Sequence, residues 1–206
     1  MFFSFDGIDG VGKSTQVRLF CDSLRALGHE VVTCRDPGST ALGERIRQIL
    51  LTKDDSVAIG RRGEMLLYMA ARAQMVEELI RPALAAGKIV VSDRFVLANI
   101  AYQGHAGGLD PESIRAVGNE STGSINPDCT FLLDMPPDLA DERMNRTLDR
   151  MEQQGADYRR RLRTGFLAEA GRGGSRIHVI DASQSVDAVQ AAIWKIAAPM
   201  LPPKGQ

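Results

Sequence analysis

The stretch FFSFDGIDGVGKST at residues 2–15 decides the fold of this chain. Its apolar opening predicts a buried strand, and the residues after it repeat apolar side chains at helical spacing up to Gly28. Between strand and helix, residues 7–14 match the pattern G-x-x-x-x-G-K-S. Glycines in such a loop let backbone N–H groups turn inward around phosphate oxygens, and the helix adds its positive end. The stretch therefore predicts a phosphate-binding loop.

Further short apolar runs recur along the chain between stretches of helical period. Together with residues 2–6, they lie near 31–35, 88–92, 129–134 and 177–180. Because these runs are continuous rather than alternating, we expect strands buried on both faces and hence a parallel sheet with helices on each side. A long helix is expected over 62–86, with Pro82 bending its last turn. The predicted fold is α/β, a five-stranded parallel sheet in one domain over residues 1–206.

The composition excludes several classes of protein. Hydrophobic residues at 44% and charged residues at 25% exclude disordered and collagen-like chains. A net charge of −1 disfavours a protein that coats nucleic acid, and no apolar run approaches the roughly 20 residues of a membrane span. The three cysteines are far apart and odd in number, which indicates neither a disulfide framework nor a zinc site. The acidic, base-poor N-terminus does not fit a signal peptide, so we expect a cytoplasmic protein.

The loop and the strand ends supply the charged groups of a nucleotide site. We expect Lys13 to reach the outer phosphates and Ser14 to bind magnesium. Two strands end in aspartate, at Asp93 and Asp134, and either carboxylate could help to hold the metal. We favour Asp93 because Arg94 follows it, which suits a place where metal and substrate phosphate meet.

Asp9 is unusual because it places a carboxylate inside a loop that holds phosphates. Like charges so close together need an opposite charge to offset them, either magnesium or an arginine such as Arg94. The alternative is that Asp9 only forms a local turn.

The chain resembles the thymidylate kinases over most of its length and in the order of that family's signatures. The matching stretches are FDGIDGVGKST at 5–15, RDPG at 35–38, ARAQ at 71–74, DRF at 93–95 with AYQG at 101–104, NPD at 126–128 leading into FLLD at 131–134, and RLRTGF at 161–166. The resemblance implies transfer of the terminal phosphoryl group of ATP to thymidine monophosphate. It also implies a magnesium cofactor and a homodimer. From the net charge and the lack of a long apolar run, we expect neither nucleic acid nor a membrane as partner.

The resemblance assigns roles to individual residues. The ATP phosphates would lie against Gly7, Ile8, Asp9, Gly10, Val11, Gly12, Lys13, Ser14 and Thr15. Magnesium would be held by Ser14, Asp93 and Asp9. Catalysis would involve Lys13, Asp9, Arg94 and an arginine of a lid.

On the acceptor side, Arg94 would clamp the phosphate of thymidine monophosphate, and Asp9 would lie beside its sugar. Tyr68 stands where the family has a phenylalanine that stacks on thymine, and Arg72 would reach a base carbonyl. The remaining substrate-binding residues implied by the resemblance are Asn99 and Gln103 near the base, Tyr102 at the deoxyribose, and Arg35 and Pro37. Taken without the resemblance, Tyr68 and Tyr102 would more often be core residues, and a carboxylate would serve Arg72 as well as a base would.

A helical lid is expected at about residues 143–160. Arg143, Arg146 and Arg150 are three and four residues apart, so on a helix they would share one face. Gly10 occupies the loop position where one branch of the family has an arginine, so this chain resembles the bacterial branch, whose lid supplies the charge. We favour Arg150 as the catalytic lid arginine, followed by Arg146.

Some residues depart from the family pattern. Asp6 and Asp36 each stand where the family has glutamate, Ser39 replaces a glycine, and Tyr68 adds a hydroxyl group. Because an aspartate reaches one methylene less, we expect contacts near the acceptor to run through water. These departures affect the expected base preference more than the expected reaction.

Other functions are weighed against this one. The nearest is a kinase for another nucleoside monophosphate or for a deoxynucleoside. A nucleotide-binding switch protein is more distant, since the chain has no Asn-Lys-x-Asp guanine signature. A nucleic-acid module built on the arginines near 143–163 is opposed by the net charge.

Overall fold

The computed structural model of the chain describes residues 1–52, 56, 58–144 and 155–202. Its five strands are parallel and form one sheet in the order β2-β3-β1-β4-β5. The strands are β1 at Phe2–Asp6, β2 at Val31–Arg35, β3 at Ile89–Asp93, β4 at Cys129–Asp134 and β5 at Ile177–Asp181. The predicted α/β fold with a five-stranded parallel sheet is confirmed, and each strand lies within one residue of its expected bounds.

Helices cover both faces of the sheet, as parallel strands require. The α-helices are α1 at Lys13–Ala26, α2 at Ala41–Leu51, α3 at Arg61–Met75, α4 at Arg81–Ala85, α5 at Val96–Asn99, α6 at Pro111–Thr122, α7 at Pro137–Glu142, α8 at Ala156–Arg172 and α9 at Val186–Ala197. Two π-helical segments lie at Val76–Ile80 and Ile100–Ala106, and short 3-10 turns at Gly174–Arg176 and Ala198–Met200.

Aromatic side chains of the central strands form the main core. Phe3 and Phe5 of β1 and Phe131 of β4 are fully buried, and Phe20 of α1 packs on all of them with ring centroids 5.1 to 5.7 Å apart. Every residue of β1 is buried, whereas the edge strand β2 leaves residues half-buried or exposed. The continuous apolar runs of the central strands therefore reflect burial on both faces.

The expected long helix over 62–86 is interrupted. The structure has α3, then a π-helical segment at Val76–Ile80, and then α4, which begins just before Pro82. Proline has no N–H to donate to the carbonyl of residue 78, and its ring crowds that carbonyl. The change of helix type therefore falls in the turn before Pro82, not in the last turn after it.

Strand order places the carboxyl ends of β1, β3 and β4 side by side. Phe5 pairs with Asp93 of β3, and Asp6 pairs with Leu132 of β4. The chain passes from β1 to β2 and β3 on one side and then to β4 on the other. Ligands of open α/β sheets bind in the crevice that such a reversal creates.

The cysteines are packed into the protein interior. Cys21, Cys34 and Cys129 are all buried and carry free thiols. Burial raises the pKa of Cys21 to about 11 and that of Cys34 to about 12.

None of the helices formed by the described residues is both long and apolar enough to cross a membrane.

Candidate active site

The loop between β1 and α1 has a backbone that favours glycine. Gly7, Gly10 and Gly12 have φ values of 137°, 88° and 91°. A Cβ atom at Gly7 would lie 2.3 Å from the Leu133 carbonyl oxygen, and one at Gly10 would lie 2.3 Å from the Ala140 carbonyl oxygen. Side chains would strain the backbone at all three glycines and clash at the first two, so this loop conformation requires glycine at these positions.

Lys13 is folded back over this loop. Its Nζ donates hydrogen bonds to the carbonyl oxygens of Gly7 at 3.1 Å and Ile8 at 2.7 Å, and lies 3.7 Å from Asp9 Oδ1. Burial, together with the charge of Arg94, lowers the pKa of Lys13 to about 8. The ammonium group is thus held against the backbone of the phosphate-binding loop.

Arg94 pairs with the unusual carboxylate of the loop. The guanidinium donates to Asp9, to the Gly7 carbonyl oxygen at 2.9 Å and to the Tyr102 hydroxyl at 3.0 Å, and Tyr102 donates to Asp9 Oδ2 at 2.7 Å. Burial alone would raise the pKa of Asp9, but Arg94 and Lys13 bring it below its ordinary value. The positive charge beside Asp9 is therefore the arginine that the sequence suggested. Arg94 has a left-handed φ of 71°, which aims its side chain back over the loop.

Asp6 is buried at the end of β1 with both carboxylate oxygens lacking a hydrogen-bond partner among the described residues. Burial raises its pKa to about 8, although Arg94 and Lys13 act in the opposite direction. A protonated Asp6 adds no negative charge beside the phosphate-binding loop. The sequence marked Asp6 only as a departure from the family and gave it no role.

A layer of hydrogen-bonded polar side chains forms the opposite wall. Arg72 is 1% exposed and donates to the carboxylate of Asp36 and to Asn99 Oδ1. Asn99 Nδ2 donates to Gln103 Oε1 at 2.7 Å, and Gln103 Nε2 donates to Glu64 Oε1 at 2.9 Å. Each member orients the next one, so the amide groups are held rigidly.

Two of the residues that depart from the family pattern, Asp36 and Ser39, have defined partners. The carboxylate of Asp36 contacts the guanidinium of Arg72 directly. Ser39 has the left-handed φ of 68° that a glycine adopts most easily, and its N–H donates to Glu44 Oε1 at 2.8 Å. A hydrogen bond thus supports the backbone conformation that the replaced glycine would favour.

One cavity of about 670 Å³ joins the loop to this polar wall, within the size range of small-molecule sites. The expected site residues that line it are Asp9, Gly10, Gly12, Lys13, Ser14, Thr15, Arg35, Pro37, Tyr68, Arg72, Asp93, Arg94, Asn99, Tyr102 and Gln103. Ile8 and Val11 do not line it, because their side chains are buried in the core. Gly7 contributes its carbonyl oxygen to Lys13 and Arg94.

The two strand-end carboxylates have different surroundings. Asp134 receives two hydrogen bonds from Arg163, from Nε at 2.7 Å and from Nη2 at 2.8 Å. Asp93 lines the cavity together with Ser14 at the first turn of α1. This placement favours Asp93 over Asp134 as a metal ligand.

Two arginines that the sequence did not assign to the site contact it. Arg47 lines the cavity and donates to the Pro37 carbonyl oxygen at 3.0 Å. Arg159 of α8 is buried and donates to the Asp9 carbonyl oxygen at 3.2 Å. Asp36 and Glu64 were likewise missed. The sequence around Arg159 shows only a run of arginines at residues 159–163, and this pattern does not predict which of them contacts the site.

The lid residues are described only in part. Arg143 follows α7, lines the cavity and donates to the Ala182 carbonyl oxygen at 3.0 Å. The favoured catalytic arginines, Arg146 and Arg150, lie outside the described residues. α8 begins at Ala156, within the expected lid range.

The fold and this cavity define a nucleotide-binding protein of the P-loop class, with a second polar subsite facing the phosphate-binding loop. The chain belongs to the thymidylate kinase family, whose model, "Thymidylate kinase", matches residues 5–193. It is 48% identical to a thymidylate kinase of Bifidobacterium longum over 94% of this chain and 95% of that protein. A thymidylate kinase of Kosmotoga olearia is 43% identical over 95% of this chain and 94% of its own length.

A solved structure agrees with the fold. The crystal structure of a thymidylate kinase from Ehrlichia chaffeensis aligns with a TM-score of 0.77 at 30% identity. The alignment covers 95% of this chain and 97% of that one. The resemblance seen in the sequence is therefore confirmed at the level of the family.

Proposed function

We propose that the chain is a kinase that transfers the terminal phosphoryl group of ATP to thymidine monophosphate, giving thymidine diphosphate and ADP. Membership of the thymidylate kinase family supports this activity. The observation that carries it is that one cavity joins the phosphate-binding loop around Lys13 to Arg94 and to the polar wall formed by Arg72, Asn99 and Gln103. A donor triphosphate and an acceptor nucleotide can thus be held face to face.

In this proposal the loop residues and Lys13 hold the ATP phosphates, while Arg94 binds the acceptor phosphate. That phosphate is already ionised at neutral pH, so the reaction needs positioning and charge neutralisation more than a general base. Asp9 keeps Arg94 in place through their ion pair and the shared contact to Tyr102. These side chains are preorganised: their contacts with one another hold them in position before the reaction, so they do not have to reorganise during transfer.

The acceptor's base and sugar would occupy the polar wall. Tyr68, half-buried on α3, would stack on the base, and Arg72, Asn99 and Gln103 would hydrogen-bond its polar edge. Tyr102 would pack against the deoxyribose. Arg35 and Pro37 complete this end of the cavity.

Magnesium fits the residues present. Ser14 and Asp93 line the same cavity and, with Asp9, offer only oxygen donors, which this ion prefers. When bound, magnesium would neutralise phosphate charge. The chain's own contribution is to hold a hydroxyl group at the start of α1 opposite a carboxylate at the end of β3.

The chain is further proposed to form one domain over residues 1–206 with a lid at about 143–160, in which Arg150, followed by Arg146, supplies catalytic charge. The free, buried thiols of Cys21, Cys34 and Cys129 support a cytoplasmic location, where thiols stay reduced.

A homodimer is proposed from the family resemblance and from the apolar surface on α3, where Leu66 is 53% exposed. Sedimentation velocity should then give the mass of two chains, and Leu66→Glu should shift it toward one. A monomeric wild type would contradict the proposal.

The activity is tested by following ADP formation from ATP and magnesium with thymidine, uridine, deoxyuridine, cytidine, guanosine and adenosine monophosphates. Thymidine and a reaction without acceptor complete the panel. Strong preference for thymidine monophosphate supports the proposal. Preference for another acceptor would keep the phosphate machinery and overturn the roles of Tyr68, Arg72 and Tyr102.

A further inference from the structure

A second cavity lies on the other side of the segment that follows β3. It has a volume of about 720 Å³ and opens between α6 and α8. Phe95, Val96, Leu97 and Ile100 give it an apolar wall, and the hydroxyls of Ser4 and Thr130 meet at its base, 2.7 Å apart. A cavity of this size with a largely apolar lining and a few polar groups is the usual form of a small-molecule site.

The rim of the second cavity carries arginines whose charge is only partly paired with carboxylates of the protein. Arg172 pairs with Glu112, but both side chains are more than half exposed, so the pair is weak. The Arg176 side chain has no hydrogen-bond or ion-pair partner among the residues described here. Arg115, by contrast, is held at 2.8 Å by Glu169, which is 3% exposed. Arg176 is therefore available to an incoming anion, and Arg172 could join it by exchanging its weak, exposed contact with Glu112, which also lines the cavity.

The apolar wall of the second cavity is also a wall of the active site. Residues 95–97 and 100 face the second cavity, whereas Arg94, Ala98, Asn99 and Tyr102 line the first. This short segment comprises α5 and the start of the π-helix at Ile100–Ala106. A ligand that displaced one face of it would move the residues on the other face.

The segment has little freedom to absorb such a displacement. Val96 packs so closely on α6 that a Cβ atom at Gly118 would lie 2.6 Å from Val96 Cγ1. Glu169, which lines the second cavity, also accepts a hydrogen bond from His105 Nε2 at 2.9 Å. Tightly packed elements transmit small shifts instead of damping them.

We propose that the second cavity binds a small organic anion with a planar apolar ring, and that its binding changes the affinity of the active site for thymidine monophosphate. The ring would lie on the half-buried side chains of Val96 and Leu97. The carboxylate, sulfonate or phosphate group would meet Arg172 and Arg176. The proposed binding site does not depend on the proposed kinase activity. Only the proposed coupling between this site and the active site rests on that activity.

The binding test uses the fluorescent probe 1-anilinonaphthalene-8-sulfonate, with the active site filled by saturating ADP and thymidine monophosphate. Wild type should show saturable binding of one probe per chain. Ala116→Phe, which places a ring into the cavity from an exposed position on α6, should abolish it. Arg176→Ala should weaken it about tenfold, which corresponds to about 1.4 kcal/mol. Ala192→Phe, the same change at an exposed position on α9, should leave it unchanged.

The source of the anion is distinguished by competition. Displacement of the probe by naphthoate but not by thymidine triphosphate would assign the site to aromatic acids, and the reverse would assign it to nucleotides. Absence of saturable binding, or equal binding by wild type and Ala116→Phe, would overturn the site.

The coupling between the second cavity and the active site is tested by steady-state kinetics. The KM for thymidine monophosphate should change at least about fivefold when the probe saturates wild type, which corresponds to about 1 kcal/mol of coupling free energy, and should not change in Ala116→Phe. An unchanged KM alongside saturable binding would overturn the coupling and keep the site. An inactive but probe-binding chain would instead contradict the proposed activity.

Discussion

At the scale of single residues, the charges of the active site are determined by contacts with one another. Asp9 stays ionised because Arg94 and Lys13 surround it, and Asp6, three residues earlier, is driven toward its protonated form by burial. The charge of Lys13 acts on both carboxyls and lowers the pKa of each. Two aspartates three residues apart thus differ in protonation, one neutral and one negative, because desolvation dominates at Asp6 and ion pairing at Asp9.

Replacing Arg94 tests the role of the guanidinium in the reaction. Its planar fork meets Asp9, Gly7 and Tyr102 at once, which the point charge of a lysine cannot do. Arg94→Lys should therefore lower kcat about 100-fold or more, as loss of a transition-state contact does. Steady-state kinetics with thymidine monophosphate measures this. Arg25→Lys, at an exposed position on α1, is the matched control, and an equal kcat in both variants would contradict the role.

The raised pKa of Asp6 predicts a pH-dependent stability. Between its unfolded pKa near 4 and its folded value of about 8, the native state binds more protons than the unfolded chain. Stability should therefore fall as pH rises through this window, by at most about 1.4 kcal/mol per pH unit for this one group. Urea titrations at pH 5, 6, 7 and 8 measure the slope.

Asp6→Asn resembles the protonated form and should remove this contribution to the slope. Asp22→Asn, at an exposed position on α1, should leave it in place. Parallel pH profiles for wild type and Asp6→Asn would show that Asp6 is ionised in the native protein, contrary to the expectation.

At the scale of elements, α8 is pressed against the π-helix at Ile100–Ala106, which presents Tyr102 and Gln103 to the site. A Cβ atom at Gly165 of α8 would lie 2.4 Å from His105 Cβ. Tyr158 donates to the Tyr102 carbonyl oxygen at 2.9 Å. Helix α8 therefore helps to position site residues that lie far from it in sequence.

Two glycines of α8 should respond oppositely to alanine. Gly165→Ala introduces a methyl group against His105 and should destabilise the protein by about 1 to 3 kcal/mol. Gly171→Ala meets nothing within 4 Å and should stabilise it by up to about 1 kcal/mol, because alanine is the better helix former. Denaturant unfolding of both variants measures the difference. A neutral Gly165→Ala would show that α8 packs less closely than described.

At the scale of the whole molecule, the segment after β3 joins two cavities, and described residues on either side of 145–154 contact the active site. Arg143 on one side lines the active site, and Arg159 on the other side contacts the Asp9 carbonyl oxygen. Both described ends of the expected lid therefore lie beside the cavity that contains the phosphate-binding loop. This arrangement suits a lid that supplies positive charge during transfer.

The lid arginines are tested by Arg150→Ala and Arg146→Ala. An arginine that acts on the transition state should lower kcat by about 10³-fold or more, with little change in KM, because its contact forms only during transfer. Arg18→Ala, at an exposed position on α1, controls for loss of a surface charge. Wild-type kcat in both lid variants would exclude the proposed lid chemistry.

Much of the fold and part of the site could be predicted from local patterns. The strands were found because continuous apolar runs such as Phe131–Leu133 have to be buried on both faces. The loop was found because its glycines, Lys13 and Ser14 occur within one short stretch. The resemblance to a family added residues such as Tyr68 and Arg72, whose neighbours in sequence do not explain them.

The sequence by itself determined the elements, the phosphate-binding loop and the family. Only the tertiary structure decided which partner each charged residue meets. Arg94 meets Asp9 because β1 and β3 are adjacent, and Arg163 engages Asp134, which leaves Asp93 facing the cavity. The physical reason is the separation in sequence of the groups that interact. Backbone conformation and burial pattern follow largely from neighbouring residues. A side chain's charge state and partner depend on distant groups that only the packed sheet and helices bring within hydrogen-bond distance.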